Sequence, residues 1–183
     1  MSLTRVKLTY EEYYSLSEET RPSELIDGEL YMPPSPSPKH QSIVVNLVRA
    51  LDQYVRANNL GKVFVSPLDV VLDRARPLIV QPDLLFISME RLSIVGNRIE
   101  GAPDLVVEVF SPATATRDRT EKAMWYGQYY AREYWLVDPE NRSLEVRRLS
   151  PKGYETLGLY GGGQILSSDV LAGINLPIDL IFA

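Results

Sequence analysis

The chain contains no cysteine, which excludes disulfides and thiolate metal sites. No apolar run approaches the roughly 20 residues that a membrane-spanning helix needs. The N-terminal Met1-Ser2-Leu3-Thr4-Arg5 lacks the apolar core of a signal peptide. With no thiols to oxidise, the expected compartment is therefore the cytoplasm. There is also no basic tail and no Lys/Arg-rich run, and the formal net charge is −5. Non-specific nucleic-acid binding is driven by counterion release on a basic surface. Global charge thus weighs against such binding and leaves room only for a local patch. Arg142, Arg147, Arg148 and Lys152 are the densest candidate, and they read first as a solvated strand surface. What is present is an ordinary folding composition: 183 residues, 45% hydrophobic and 23% charged. With no repeat and no linker, residues 1–183 are expected to form one domain.

Thr9 before Tyr10-Glu11-Glu12 predicts an N-capped helix with Glu12 completing a capping box, and Pro22 ends that region. Asp27-Gly28 between Glu24-Leu25-Ile26 and Glu29-Leu30-Tyr31 predicts a β-hairpin. The run Pro33-Pro34-Ser35-Pro36-Ser37-Pro38 must be an extended loop. Ile43, Leu47, Leu51 and Val55 recur at spacing four, which predicts a long helix from about residue 39 to 58. Strands are expected over 62–66, 68–73, 78–87, 105–110, 133–137 and 143–149, with a second helix over 115–130. Gly161-Gly162-Gly163 marks a weaker closing hairpin, and the apolar stretch Ile174–Phe182 has the character to pack on the core or on a partner chain. Strand, helix, strand over 105–137 is a βαβ-like crossover. The fold class is therefore α/β with an α+β type core: a central mixed sheet flanked by helices, with an N-terminal helix and hairpin.

Two apolar runs carry one acidic residue each, Asp83 in 78–87 and Glu108 in 105–110. Carboxylates are almost never buried unless paired or metal-bound, because desolvating the charge is costly. A divalent cation such as Mg²⁺ satisfies them, and so do structural ion pairs or strand ends that reach water. Asp104 lies on the strand of Glu108, four residues earlier, so their Cα atoms would be about 13 Å apart. Asp83 is the better companion.

The hairpin Glu24-Leu25-Ile26-Asp27-Gly28-Glu29-Leu30, the stretch Pro36-Ser37-Pro38-Lys39-His40, Gln81-Pro82-Asp83, Pro103-Asp104-Leu105-Val106-Val107-Glu108-Val109-Phe110-Ser111-Pro112 and Glu133-Tyr134-Trp135-Leu136-Val137-Asp138-Pro139 together resemble the Uma-type family. That family belongs to the PD-(D/E)XK nuclease superfamily. The resemblance implies a restriction-endonuclease-like core, metal-dependent phosphodiesterase ancestry and frequent dimerisation, here expected as a homodimer; the substrate expected of such a protein is nucleic acid, DNA foremost. It implies Asp83 and Glu108 as ligands of Mg²⁺ or Mn²⁺, with the Val109 carbonyl as a further donor. The superfamily's lysine two positions on is replaced here by Phe110. The resemblance points to Lys122 on the following helix as its substitute, where the residues alone read as an i,i+4 surface partner of Asp118. Glu24 matches the acidic residue that opens the hairpin and is a third candidate carboxylate. His40 opens the long helix, either contacting phosphate, moving a proton, or packing there. Gln81 is suited to hydrogen-bond a water or phosphate, and Tyr126 and Tyr130 read as packing residues.

Three readings follow. The first is a metal-dependent nuclease in which Asp83, Glu108, Lys122, Glu24 and His40 act. The second is a catalytically inactive dimer of the same fold with a binding or regulatory role. The third is a hydrolase of small phosphorylated substrates.

Overall fold

The computed structural model describes residues 7–16, 23–111 and 114–183. The readings of residues 1–5, of Pro22 as a helix end and of Pro112 lie outside them. Local chemistry sets the first elements. Helix α1 (Tyr10–Ser15) starts on a reciprocal capping box: the Glu12 N–H donates to the Thr9 hydroxyl, and the Thr9 N–H to the Glu12 carboxylate. Strands β1 (Glu24–Ile26) and β2 (Glu29–Tyr31) pair around Asp27-Gly28. The φ angles of 51° and 83° at that pair are those of a two-residue hairpin turn. Helix α2 (Pro38–Ala57) begins one residue earlier than expected. Pro38 fills its first position, where no N–H is needed, while the Ser37 hydroxyl accepts from the His40 N–H. The stripe Ile43, Leu47, Leu51 and Val55 is buried.

Strands β3 (Gly61–Val65), β4 (Val70–Asp73), β5 (Leu78–Val80), β6 (Leu84–Ser88), β7 (Ile99–Glu100) and β8 (Leu105–Val109) follow. The expected single strand over 78–87 is two. Pro82 has no N–H to give to a ladder, and the chain leaves one sheet after Val80 and joins another at Leu84. Asp83 therefore sits on the corner before β6 rather than inside a strand. The expected helix over 115–130 is also broken up. α3 (Ala115–Arg117) passes through a π-helical turn (Asp118–Lys122) into α4 (Ala123–Gln128). The Tyr134 hydroxyl donates to the Asp118 carbonyl at 2.9 Å, giving a backbone group in the widened turn a partner.

Strands β9 (Glu133–Asp138), β10 (Ser143–Ser150) and β11 (Gly153–Tyr160) come next, and β11 is a full eight-residue strand paired along β10 rather than a weak hairpin arm. Short strands β12 (Ile165–Leu166) and β13 (Leu176–Pro177) and helix α5 (Ile178–Ile181) close the chain. Ile178 and Ile181 join the core beside α2, so the C-terminal apolar stretch packs on its own chain.

The central sheet has the order β11-β10-β9-β8-β6-β3, with β8 and β9 parallel and the remaining neighbours antiparallel. This is the mixed sheet that the crossover predicts. A second sheet, β2-β1-β5-β4-β7, supplies Val70, Leu78 and Val80 to a core shared with Leu85, Val106 and Tyr134 of the first. Alternation sorts β8 between two layers. Leu105, Val107 and Val109 join the α2 cluster, while Val106 and Phe110 join the cluster under the helical segment 115–128. Glu108 falls on this second face, with every residue of β8 buried.

Candidate active site

The register that aligns Leu84 with Val107 brings Asp83 beside Glu108, just before β6 begins and where β8 continues. The Val109 N–H donates to Asp83 Oδ2 at 2.8 Å, and His40 Nε2 reaches the same oxygen at 3.1 Å from the first turn of α2. One backbone amide and one imidazole thus fix this carboxylate from the sheet and from the helix.

Glu108 is gripped from the other side. Lys122 Nζ and the Tyr126 hydroxyl both donate to its Oε1, each at 2.9 Å. Lys122 is buried, lying also 3.2 Å from Glu24 Oε1 and 3.6 Å from Asp118 Oδ1. Of the two readings of Lys122, the surface pair with Asp118 does not hold as such: the pair is present but buried, with both side chains directed inward and Lys122 reaching Glu108 and Glu24 from two sheets. Glu24 is 2% exposed and takes the Gln81 N–H at 3.2 Å and the Arg117 guanidinium at 3.2 Å. The corner at Gln81 carries the chain from β5 of the second sheet to β6 of the first.

All five residues singled out from the sequence, Glu24, His40, Asp83, Glu108 and Lys122, line one cavity of about 1010 Å³ together with Asp118 and Arg117. Within this cluster Glu24, Asp83, Glu108 and Asp118 face Arg117 and Lys122, an excess of acidic groups, while the rest of the cavity lining adds Glu140, Lys39 and Arg49. Burial pushes Glu108 well above the usual carboxylate range; the Lys122 ammonium opposes this, and Asp83, Asp118 and Glu24 add to it. Burial likewise raises Asp118. Burial alone would lower Lys122, but Glu108, Glu24 and Asp118 override it and hold the ammonium charged. For His40, burial again works downward and Asp83 and the Val109 backbone outweigh it, so the imidazole is raised. These directions agree: an electron-rich cluster holds its protons, and a cation would be drawn to the same place.

Among the described residues no group of three or more His, Asp or Glu side chains stands as a ready cage for a metal ion. Mg²⁺ asks for less, one or two carboxylates with waters and substrate oxygens completing its shell. Asp83 Oδ1 and Glu108 Oε2 have no hydrogen bond among the described residues, and both side chains line the cavity. Hard oxygen donors in a negative pocket fit Mg²⁺ or Mn²⁺.

Other sequence expectations fall elsewhere. Asp104 is occupied by the Ser88 N–H, Arg91 and Arg132. Gln81 gives its amide to Asp69 at 2.7 Å. Tyr130, expected to pack, is 76% exposed, whereas Tyr126 is buried against Glu108. The basic stretch on β10 is largely neutralised, with Arg147 on Glu145 and Arg148 on Asp169. Arg117 and the inward role of Asp118 were not foreseen. The available signal was the spacing of Asp118, Lys122 and Tyr126, four apart on one helix face.

A sequence model of the Uma2 family, described as "Putative restriction endonuclease", matches residues 10–179. No curated protein matches the chain. Among solved structures, the crystal structure of a "putative nuclease belonging to DUF820" from Anabaena variabilis ATCC 29413 superposes with a TM-score of 0.81 at 22% identity. The match covers 96% of this chain and 97% of that one, and at this identity it bears on the fold alone. The fold it bears out is restriction-endonuclease-like. No described helix is long and apolar enough to cross a membrane.

Proposed function

Because the chain belongs to the Uma2 family of "Putative restriction endonuclease" proteins, we propose that it is a divalent-metal-dependent phosphodiesterase that cuts nucleic acid. The observation that carries this reading is the buried cluster of Glu108, Lys122 and Glu24 beside Asp83, on the wall of one cavity. Asp83 and Glu108 would hold Mg²⁺ or Mn²⁺, with the Val109 carbonyl as a further donor. The bound cation would supply an acidified water and neutralise phosphate charge.

The chain's own groups do the rest. The Val109 N–H and His40 hold Asp83 by Oδ2 and leave Oδ1 without a hydrogen bond among the described residues. Lys122 and Tyr126 hold Glu108 by Oε1 and leave Oε2 free. Lys122 keeps its proton next to three carboxylates, so its charge is available to stabilise the pentacovalent phosphorus as negative charge builds there. Glu24 anchors Lys122 from the hairpin and fixes the direction of the ammonium. The same reading takes residues 1–183 as one cytoplasmic domain that works as a homodimer, which sedimentation velocity would check.

Mn²⁺ titration by calorimetry on the wild type, Asp83→Asn and Glu108→Gln tests the proposal, together with cleavage assays on DNA and RNA. One site in the wild type, lost in both variants along with cleavage, is the expected result. Binding or cleavage indifferent to both changes would sink it. A second reading, an inactive dimer of this fold, is favoured by one observation: buried Phe110 stands two residues after Glu108, at the superfamily's lysine position. It predicts metal binding without cleavage of any substrate.

A further inference from the structure

The charges around the cavity restrict what can enter it. Duplex DNA is held by successive phosphate contacts, each needing a cation free to displace a counterion. Here Lys122 is buried within the reaction cluster against Glu108 and Glu24 and serves no backbone track, Arg117 is paired with Glu24, and Lys39 faces Glu140 at 2.8 Å. Among the described residues, Arg49 is the cavity-lining Lys or Arg with no acidic partner. A single cation is no track for a duplex backbone.

Among the other lining residues, which include Ser37, Gln41 and Ser66, lies a group of apolar side chains. Pro33, Pro34 and Pro36 of the extended loop line the cavity together with Val45 and Val48 of α2 and Val65 at the end of β3. Val45 and Val65 are 51% and 41% exposed, large apolar groups left open beside a carboxylate cluster. The volume of about 1010 Å³ is at the upper end of pockets that enclose small ligands, roughly 300–1,000 Å³. Such a wall suits a flat base with its edges unpaired. A paired base presents only its groove edge and never its face.

Arg49 also sets a minimum length. It lies nine positions along α2 from His40, roughly 13 Å along the helix axis. A phosphate at Arg49 is therefore not the phosphate at Asp83 and Glu108 but a neighbouring one. We infer that the cavity takes unpaired nucleotides, at least two joined by a phosphodiester: a single strand or a free dinucleotide, with a base on the proline–valine wall and the flanking phosphate at Arg49. Duplex is excluded. This assignment rests on the phosphodiesterase reading and names its substrate class.

The test is fluorescence anisotropy in Ca²⁺, an oxygen-seeking cation. The probes are a labelled single-stranded 12-mer, the same sequence as a duplex, and a labelled dinucleotide. The proteins are the wild type, Val45→Glu and Arg49→Ala, both changes being at exposed positions of α2 that folding tolerates. The single strand should bind at least tenfold more tightly than the duplex, and Val45→Glu should weaken it severalfold. Arg49→Ala should flatten the slope of log K against log salt by one phosphate, about 0.7 for a single strand. A dinucleotide binding as well as the 12-mer supports the assignment with free dinucleotides as the source, and a weaker one supports it with strands. Duplex binding as tight as single-strand binding overturns it, as does wild-type behaviour in both variants. These readouts need no cleavage. Failure of the substrate assignment is thus distinct from failure of the nuclease reading, which the Mn²⁺ titrations of Asp83→Asn and Glu108→Gln decide.

Discussion

Lys122 Nζ lies 2.9 Å from Glu108 Oε1, although 14 residues and a π-helical turn separate the two in the chain. The ammonium reaches the strand carboxylate from the following helix, over the face on which Phe110 occupies the second position after Glu108. Strand and helix therefore share one charge pair, and the stability and chemistry of the cluster are coupled through it.

Lys122→Met should destabilise the protein strongly. It leaves Glu108, Glu24 and Asp118 buried without their common cation, and breaking a buried pair from one side costs about 3–5 kcal/mol. Differential scanning calorimetry should show the drop in Tm in EDTA. Mn²⁺ should recover part of it, because a cation bound between the carboxylates replaces the lost charge. An unchanged Tm in EDTA would mean that Lys122 is not the electrostatic keystone of the cluster.

Mn²⁺ affinity should fall as pH is lowered. Burial raises Glu108 well above the ordinary carboxylate range, so its charged form, which is the ligand, is lost at a higher pH than for a free glutamate. Binding should release protons, visible as a dependence of the calorimetric heat on the ionisation enthalpy of the buffer. Heats that are independent of buffer would contradict the raised value.

Asp104 should contribute to acid sensitivity. Burial works upward on it, but the Ser88 N–H at 2.8 Å and Arg91 at 3.2 Å outweigh this and lower it. A carboxylate lowered in the folded state stabilises above its unfolded pKa and loses that contribution as pH falls through the folded one. Asp104→Asn should be less stable than wild type near neutrality, by about 1–3 kcal/mol. The gap should narrow as urea unfolding is followed below pH 4. A gap that stays constant with pH would rule out the ionic contribution.

Gly28→Ala should weaken the hairpin and, through it, the position of Glu24. At φ 83° a side chain is disfavoured, and an added Cβ would stand 2.9 Å from the Leu8 carbonyl oxygen. The strain should cost about 1–2 kcal/mol. Chemical denaturation gives the loss, and a shift in Mn²⁺ affinity would report movement of Glu24. No loss of stability would show that the turn adjusts freely.

The parts legible in the sequence were those decided within a few residues. The Thr9–Glu12 box, the Asp27-Gly28 turn, the Ile43-to-Val55 stripe and the apolar run of β8 each carry their own local signal. The break at Pro82 was readable from proline chemistry but masked by the apolar run on both sides of it. The π-helical turn had no local signature, since its irregularity is stabilised by Tyr134 from another strand.

Composition and pattern alone determined that this chain makes a mixed α/β core and that two of its acids, Asp83 and Glu108, stand against apolar surroundings and need partners. Those follow from periodicity and from the cost of burying charge, both of which are written along the chain. Which partners they have was a tertiary decision. Lys122 turned inward rather than outward, Glu24 was brought in from a second sheet, and Arg49 was left as the cavity's unpaired cation among the described residues. Such pairings depend on distances between segments far apart in sequence, set by sheet register and by the chain's crossing from one sheet to the other at Gln81.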